Sequence, residues 1–364
     1  MSLAGSSRIA IAGCAALVGG VLCGPPARAL TIVPYFDSSI TDASNAASVE
    51  FAINTAISTI DALYTNDGTV NIVFAQASGS FVGESETADY GTSYADYVGL
   101  LNATSAQEPT NTVLTTALAN LSSGNQPGSG GQVLFTTADA QIALGLGAAS
   151  GVTGCFGSSG SFVSTCGQLY DGVVTLSSTV SLNYTTAPVA GAYSAISGAE
   201  HEIDEMLGGG GQGSTLNAIA DGLTAFDSDI GVQDLYRYAA PGVASFSTSG
   251  SATAYFSITG GVTDIVGFNQ NSSGDFGDFA QSGSAIGEFS PTGDVQSAFG
   301  TPGIVPAYTT ASPEFEMMEA IGYDGVVPEP TSWAVLGSAV AGLLAMRRRT
   351  RQPIYRRAVP TADG

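Results

Sequence analysis

The sequence predicts a single α+β domain. The segment between the two ends is about 300 residues long, which is enough to bury one sizeable core. Segments with helical spacing of apolar residues alternate with short segments of strand-like alternation, and the 48 glycines suggest short strands joined by long surface loops. The order helix, strand, helices, strand, acidic helix favours one domain whose helices and strands are segregated.

The longest predicted helix of the domain runs from Ala43 to Tyr64. Its apolar residues recur at helical spacing. They are Val49, Ala52, Ile53, Ala56, Ile57, Ile60 and Leu63. This pattern predicts a helix with one face in the core.

The other elements before the acidic helix are shorter. Alternating residues predict strands at 31–37, 69–75 and 171–177. Helices are expected at 94–101, 111–121 and 137–146, the last capped by Thr136 or Thr137, and 124–131 is a Pro/Gly/Ser linker.

The C-terminal part is predicted to be β-rich. Residues 226–238 form a loop with helical pieces, and 245–261 and 262–269 alternate as strands. A turn-rich acidic loop follows at 273–279, and an amphipathic helix at 313–321 closes the domain.

The charge is strongly negative and unevenly distributed. The chain has no lysine, nine arginines and 31 acids, with a net charge of −22. Thirty of the acids lie between Asp37 and Glu329, where Arg237 is the only basic residue besides one histidine. Such a surface repels nucleic acid and anionic lipid and attracts divalent cations and basic peptides. Solubility of an exported protein is the simpler explanation of the same charge.

The N-terminus has the pattern of a secretory signal peptide. Arg8 precedes an apolar run at 9–23, and Ala27-Arg28-Ala29 fits a signal-peptidase site before Leu30. Residues 1–29 are therefore predicted to be removed on export.

The C-terminus carries a second processing pattern at 326–364. Pro328-Glu329-Pro330 leads into a short apolar stretch at 332–346, followed by Arg347-Arg348-Arg349. An ordinary single-span transmembrane helix is one interpretation. The combination resembles the PEP-CTERM sorting signal of Gram-negative bacteria. The resemblance implies transient anchoring in the inner membrane, cleavage by an exosortase, and release to the cell surface or the medium.

Cysteine usage agrees with export. Only Cys155 and Cys166 lie outside the two processed ends, and they flank a Gly/Ser-rich loop. In an oxidising compartment this spacing favours a disulfide.

The sole histidine of the chain lies in an acidic helix predicted at 193–207, with the pattern His-Glu-x-x-Glu. His201 and Glu205 fall one turn apart on the same helix face. Zinc catalysis needs about three protein ligands, an open position for water and a carboxylate to take the proton of that water. The pattern predicts His201 and Glu205 as ligands and Glu202 as general base. The alternative is a capped surface helix without a metal.

A third ligand must be an oxygen, since no other histidine exists. The candidates are Asp227, Asp229 and Asp234, with Asp234 ranked first because it lies in Asp-Leu-Tyr-Arg-Tyr. Arg237, Tyr236 or Tyr238 are candidates for orienting substrate or stabilising an oxyanion, and Tyr238 is taken as the catalytic one. Arg237 has a structural alternative, pairing with an acid to hold this turn.

Two further motifs are given less weight. Asp275 and Asp278 are interpreted as a solvated turn, with help in calcium binding as the alternative. The run from Gly208 to Gly211 is interpreted as a flexible helix exit. No Gly-x-Ser-x-Gly elbow supports a serine triad.

Several segments together resemble a family of exported zinc metalloproteases with an HExxE motif, which often carry a PEP-CTERM tail. The similarity spans most of residues 30–325. The segments are Phe36–Ile40, Thr69–Ile72, Glu200–Gly208, Asp234–Gly242, Tyr255–Gly261, Gly274–Phe279 and Met318–Asp324.

The resemblance implies a zincin-like or metzincin-like fold, with His201 and Glu205 binding Zn²⁺ and Glu202 acting as base. The chain departs from the family pattern after the motif, where Met206-Leu207-Gly208-Gly209 stands in place of Val-Met-Gly-Arg.

The predicted function is therefore an exported zinc-dependent peptidase acting on proteins or peptides. Signal peptidase and exosortase are its expected processing partners, and no nucleic acid is expected. The alternative is a non-catalytic protein of the cell surface or exopolysaccharide matrix that keeps the fold.

Overall fold

The computed structural model of the protein describes residues 29–146, 151–156, 160–280 and 293–326. The predicted signal peptide, but for Ala29, and the predicted sorting segment, but for Val326, lie outside these ranges.

The helices of the described residues lie mainly in the first two thirds of the domain. They are α1 Ser38–Thr41, α2 Ala46–Leu63, α3 Tyr94–Gln107, α4 Thr112–Ala119, α5 Thr137–Ile142, α6 Ala195–Met206, α7 Leu216–Ala220 and α8 Pro313–Ala320. Each predicted helix corresponds to one of these within a few residues at either end, and the helix predicted to start within 94–101 is α3, which continues to Gln107. Thr136 caps α5 by accepting from the N–H of Asp139 (3.1 Å), as one of the two predicted alternatives requires.

The strands divide between one central sheet and several small ones. The first eight are β1 Leu30–Phe36, β2 Gly68–Ala77, β3 Gly83–Thr87, β4 Asp89–Thr92, β5 Val133–Thr136, β6 Val152–Phe156, β7 Phe162–Tyr170 and β8 Gly172–Ser177. The later ones are β9 Leu182–Asn183, β10 Tyr193–Ser194, β11 Ile230–Gly231, β12 Arg237–Ala240, β13 Val243–Ala244, β14 Tyr255–Phe256 and β15 Val266–Gly267.

The central sheet has the order β1-β2-β8-β3. The first three strands are parallel, and β3 pairs antiparallel with β8 at the edge. Strand β8, which corresponds to the strand predicted at 171–177, is an interior strand of this sheet. The edge position belongs to β3, because Gly83–Thr87 takes up the free side of β8.

Helix α2 contributes one apolar face to the hydrophobic core. All seven apolar residues predicted to face inward are buried. The helix packs against β1 and α6. These helices and sheets form a mixed α+β fold, as predicted.

The C-terminal part has shorter strands than predicted. The two long strands expected at 245–269 are reduced to β14 and β15, of two residues each. Between them, the Ser257 hydroxyl accepts from the N–H groups of Thr259 and Gly261. These local hydrogen bonds replace a strand ladder.

The predicted disulfide and the predicted membrane span both involve residues outside the described ranges. Cys155 lies in β6 and the backbone of Cys166 in the paired strand β7. The side chain of Cys166 lies outside what the structure describes, so the disulfide stays a prediction. In the described part of the chain, no helix combines the length and apolar character of a membrane span.

Helix α2 provides a matched test of the core. Ile53→Ala should lower the free energy of unfolding by about 2–5 kcal/mol, because Ile53 is fully buried. Phe51→Ala, at a side chain that is 52% exposed on the same helix, should change it by less than about 0.5 kcal/mol. Urea unfolding of both variants measures this difference, and equal losses would contradict the placement of α2.

Candidate metal centre

Helix α6 carries the predicted motif and has well-defined ends. The Ser194 hydroxyl caps its first turn by accepting from the N–H of Ser197 (3.1 Å). At the other end Gly208 has a φ of +103°, which only glycine adopts readily. The N–H groups of Gly208 and Gly209 close on the carbonyls of Glu205 and Asp204, the arrangement of a Schellman motif.

The exit from α6 is closely packed. Residues Gly210–Gly213 form a buried or half-buried 3-10 turn, and the N–H of Gly211 donates to Oε1 of Glu205 (2.8 Å). The glycine run therefore holds a motif carboxylate in place, in contrast to the flexible exit expected from the sequence.

His201 and Glu205 face the same side, as their spacing predicts. The Nε2 atom of His201 lies 3.7 Å from Oε1 of Glu205. A third side chain, Asp278, places Oδ2 at 3.5 Å from the same Nε2 atom. One donor atom from each of the three residues lies within 4.8 Å of the other two, so this group has the geometry to hold a metal ion.

The third carboxylate at this cluster is Asp278, whereas the sequence had favoured Asp234. Asp234 is fully buried, and its carboxylate accepts from the N–H groups of Gly231 and Thr215 and from the hydroxyl of Ser214. It organises the turn Val232–Tyr236. Asp229 accepts from the N–H of Gln132, and neither it nor Asp227 belongs to the cluster.

Asp278 also differs from the solvated turn expected at 273–279, because its side chain is only 2% exposed. Arg237 holds the loop 273–279, because its Nη1 donates to the carbonyl oxygen of Phe276 (2.6 Å). The guanidinium lies 4.3 Å from the ring centre of Phe268. Arg237 therefore holds the loop of Asp278 through a backbone carbonyl, whereas the structural alternative from the sequence was pairing with an acid to hold its own turn; Asp234 acts on it through its charge.

Tyr238 is not brought to the cluster. Its ring is buried in β12, and its hydroxyl donates to the carbonyl oxygen of Asn120 (3.5 Å). Tyr236 is likewise buried and donates to the carbonyl oxygen of Ala320 (2.7 Å). Neither tyrosine lines the cleft around His201.

The three donor groups suit a zinc ion. Tetrahedral zinc with bonds of 2.0–2.2 Å places its ligand atoms about 3.4 Å apart, close to the separations at Nε2 of His201. The Nδ1–H of His201 donates to the carbonyl oxygen of Val295 (3.0 Å), which leaves Nε2 as the ligand atom. Imidazole with two carboxylates is a set that zinc accepts.

Further side chains orient the ligands. The hydroxyl of Ser85, on strand β3, donates to Oε2 of Glu205 (2.5 Å). The Nε2 amide of Gln296 donates to Oδ1 of Asp278 (3.0 Å) and lies 3.2 Å from Nε2 of His201. The sequence named Asp278 only as a possible helper in calcium binding and as part of the Gly274–Phe279 motif. It gave no signal for Ser85 or Gln296.

The electrostatics of the cluster favour a cation. Burial lowers the pKa of His201, but the charge and hydrogen bonding of Asp278, the hydrogen bonding of Glu205 and the charge of Glu202 outweigh burial and hold that pKa well above its usual range. Burial raises the pKa of Asp278, partly offset by His201. Positive charge at this point is thus strongly stabilised.

Glu202 lies beside the cluster without belonging to it. Burial and the neighbouring charge of Glu205 raise its pKa well above the usual range. Its Oε2 atom is buried and has no hydrogen-bond partner among the described residues. It packs against β3 at Gly83, where a Cβ atom would lie 2.6 Å from Cγ of Glu202. Only glycine gives this carboxylate room.

The cluster opens into a cleft of about 820 Å³. Strand β3, helix α6 and the segment 293–306 form its walls. Apolar side chains line part of it, among them Phe81, Phe226, Phe299 and Ile304. Carboxylates, hydroxyls, amides and glycines line the rest, and no lysine or arginine of the described residues reaches it.

Comparison of the chain with protein-family models, with curated proteins and with solved structures gave no match.

The variants Asp278→Asn and Asp234→Asn distinguish the metal-binding role expected of Asp278 from the structural role of Asp234. Loss of the Asp278 charge should weaken zinc binding by more than the roughly 10–100-fold that an outer-shell partner contributes. Asp234→Asn should keep one equivalent of zinc and lower the free energy of unfolding by about 1–3 kcal/mol, because it disturbs a buried, fully bonded carboxylate. Zinc titration and urea unfolding measure the two effects. Loss of zinc only in Asp234→Asn would overturn the assignment.

The next face of α6 carries two more buried carboxyls, Glu200 and Asp204, near Glu314 of α8. Burial raises the pKa of Glu200 to about 8 and that of Glu314 to about 7. Burial also raises the pKa of Asp204 well above its usual range, and Tyr308 donates to its Oδ1 atom (2.9 Å).

These shifts predict that the metal-free protein is most stable in mild acid. Between about pH 4.5 and 8 the folded state binds protons that the unfolded state has lost, so stability falls as the pH rises through this window. Each group contributes up to about 1.4 kcal/mol per pH unit. Thermal unfolding in the presence of a chelator should give a higher Tm at about pH 5 than at about pH 8. The change of Tm with pH should be smaller in Glu200→Gln. It should be the same as in wild type in Glu50→Gln, a control on helix α2. A Tm that rises with pH would refute this.

Proposed function

We propose that the protein is an exported zinc-dependent peptidase. The observation that carries the proposal is the position of Glu202, buried beside the group of His201, Glu205 and Asp278 at the floor of an open cleft. Three ligands, an adjacent carboxylate and room for a substrate are the requirements of metal-assisted hydrolysis.

Zinc bound by these three side chains would supply Lewis acidity, lowering the pKa of water and polarising a carbonyl group. Glu202 then accepts the proton of the attacking water and returns it to the leaving amine. In the metal-free protein, burial and the charge of Glu205 raise the pKa of Glu202, which favours its protonated form. The charge of a bound zinc ion would lower that pKa, so that the carboxylate can accept the proton and then return it. Ser85, Gly211 and Gln296 keep the ligands oriented.

The walls of the cleft favour a peptide as substrate. Strand β3 is the last strand of the central sheet, and Gly83, Glu84 and Ser85 line the cleft. An extended peptide pairs with such a free edge through its backbone. Carboxylates of Glu84, Asp275 and Asp294 along the cleft favour a peptide that carries lysine or arginine.

We also propose that the domain has a zincin-like fold. A parallel sheet with an antiparallel edge strand beside the motif helix supports a zincin-like domain over 30–325. We propose that the protein is exported through a signal peptide at 1–29. It is then anchored transiently in the inner membrane and cleaved by an exosortase within 326–364.

The proposal is tested with Glu202→Gln on a mixed peptide library. The variant should keep its zinc and its Tm but lose about 10²–10⁴-fold in kcat/KM, because the amide cannot accept the proton of the attacking water. Mass spectrometry of the products measures the rate and the residues next to each cut.

Three outcomes would count against parts of the proposal. Equal cleavage by both proteins would remove Glu202 as base. No cleavage by either, with zinc bound, would favour the non-catalytic surface or matrix protein. Cuts without preference for nearby lysine or arginine would remove only the proposed substrate class.

A further inference from the structure

The candidate metal centre lies between two carboxylates that take no part in it. Asp275 belongs to the loop 273–279 and Asp294 to the segment 293–306, and both line the open cleft. Neither carboxylate accepts a hydrogen bond from a described residue. Both are thus available to a group that enters the cleft.

Asp275 lies beside Glu205, at the C-terminal end of α6. A Cβ atom on Gly211 would lie 2.9 Å from Cγ of Asp275 and 2.6 Å from Oε1 of Glu205, so both carboxylates approach the same glycine. The loop is fixed at this point, because the N–H of Phe276 donates to Oδ1 of Asn217 (2.8 Å). Asp275 therefore flanks the metal position on the side of Glu205.

Asp294 lies on the side of His201. The ring of His201 directs Nε2 to the other two ligands and Nδ1 to the carbonyl oxygen of Val295 (3.0 Å). Asp294 directly precedes Val295, whose N–H donates to Glu314 (3.0 Å). The metal position is thus flanked by Asp294 beyond the histidine and by Asp275 beyond the glutamate.

These two aspartates differ from the other free carboxylates of the cleft. Glu84 and Asp89 are exposed, so water screens their charges and an ion pair there contributes little. Asp294 is only 8% exposed and Asp275 is half-buried, so their charges act through a less polar surrounding. A buried carboxylate without a partner is costly, and a cationic group would relieve that cost.

The electrostatics of both aspartates suit a cationic side chain. Burial raises the pKa of Asp294, and burial with the charges of Asp278 and Glu205 raises the pKa of Asp275 to about 7. A nearby ammonium or guanidinium group lowers the pKa of a carboxyl, so it would keep both aspartates ionised. Lysine and arginine carry such groups on apolar stems, which can pack along the apolar walls of the cleft.

We propose that Asp275 and Asp294 form two subsites, which bind a lysine or arginine side chain on each side of the scissile bond. The inference rests on the proposed peptidase function and names its substrates as peptides with two basic residues around the cut. A peptide that crosses the metal position runs from one aspartate towards the other. A single basic residue would leave one carboxylate unpaired.

Cleavage of a mixed peptide library by the zinc-loaded protein tests the two subsites. In wild type, lysine or arginine should be enriched at least about 5-fold on both sides of the cut. Asp275→Asn should lose the enrichment on one side and Asp294→Asn on the other, because the amide keeps the shape of the side chain without its charge. Asp67→Asn, at an exposed acid that does not line the cleft, is the matched control and should keep both.

Binding measurements test the same subsites without turnover. Glu202→Gln protein with zinc is titrated with labelled octapeptides of one neutral sequence, which carry no lysine, one lysine, or two lysines at different spacings. The best two-lysine peptide should bind at least about 5-fold more tightly than the one-lysine peptide. Adding Asp275→Asn or Asp294→Asn should remove this difference, and adding Asp67→Asn should leave it.

The outcomes separate this inference from the peptidase function. No advantage of two lysines, or an equal advantage in all three aspartate variants, would overturn the inference even if wild type cleaves peptides. Loss of enrichment on the same side in Asp275→Asn and Asp294→Asn would also overturn it. An advantage that needs both aspartates, without cleavage by wild type, would support the two subsites and refute the peptidase function. Should Asp294→Asn fail to fold, Asp275→Asn alone must still remove the advantage.

Discussion

The structure depends on burying carboxyls without basic partners. Eleven Asp and Glu side chains are buried among the described residues, whereas Arg237 is the only arginine there and the chain has no lysine. A buried charge without compensation is expensive. Each buried acid therefore needs backbone N–H groups, hydroxyls, a proton or a metal ion.

The way in which each acid is satisfied indicates its role. Asp234 receives two N–H groups and one hydroxyl and faces Arg237, so its charge is fully used within the fold. Glu205 and Asp278 also accept hydrogen bonds, but one oxygen of each lies within 3.7 Å of Nε2 of His201, a group that can share a metal ion with them. Acids of similar burial thus differ in whether their carboxylates lie only among hydrogen-bond donors of the fold or also converge on a histidine.

The support of the candidate metal centre comes from distant parts of the chain. Strand β3 supplies Ser85 and the small Gly83, the turn after α6 supplies the Gly211 N–H, and Arg237 holds the loop of Asp278. Arg237 itself is buried, and burial lowers its pKa to about 10 against the opposing effect of Asp234. The single arginine of the domain thus positions a loop, and it does not line the cleft.

The sequence by itself determined the features that depend on neighbours along the chain. The apolar spacing of α2 and the position of His201 and Glu205 on one face follow from the geometry of one helix, and the cap of α5 was narrowed to Thr136 or Thr137. Tertiary structure alone decided between Asp234 and Asp278, because both follow glycine-containing turns and differ only in what packs around them. It also placed β8 inside the sheet and shortened the C-terminal strands, since strand order and local hydroxyl bonds are set by long-range packing that no spacing records.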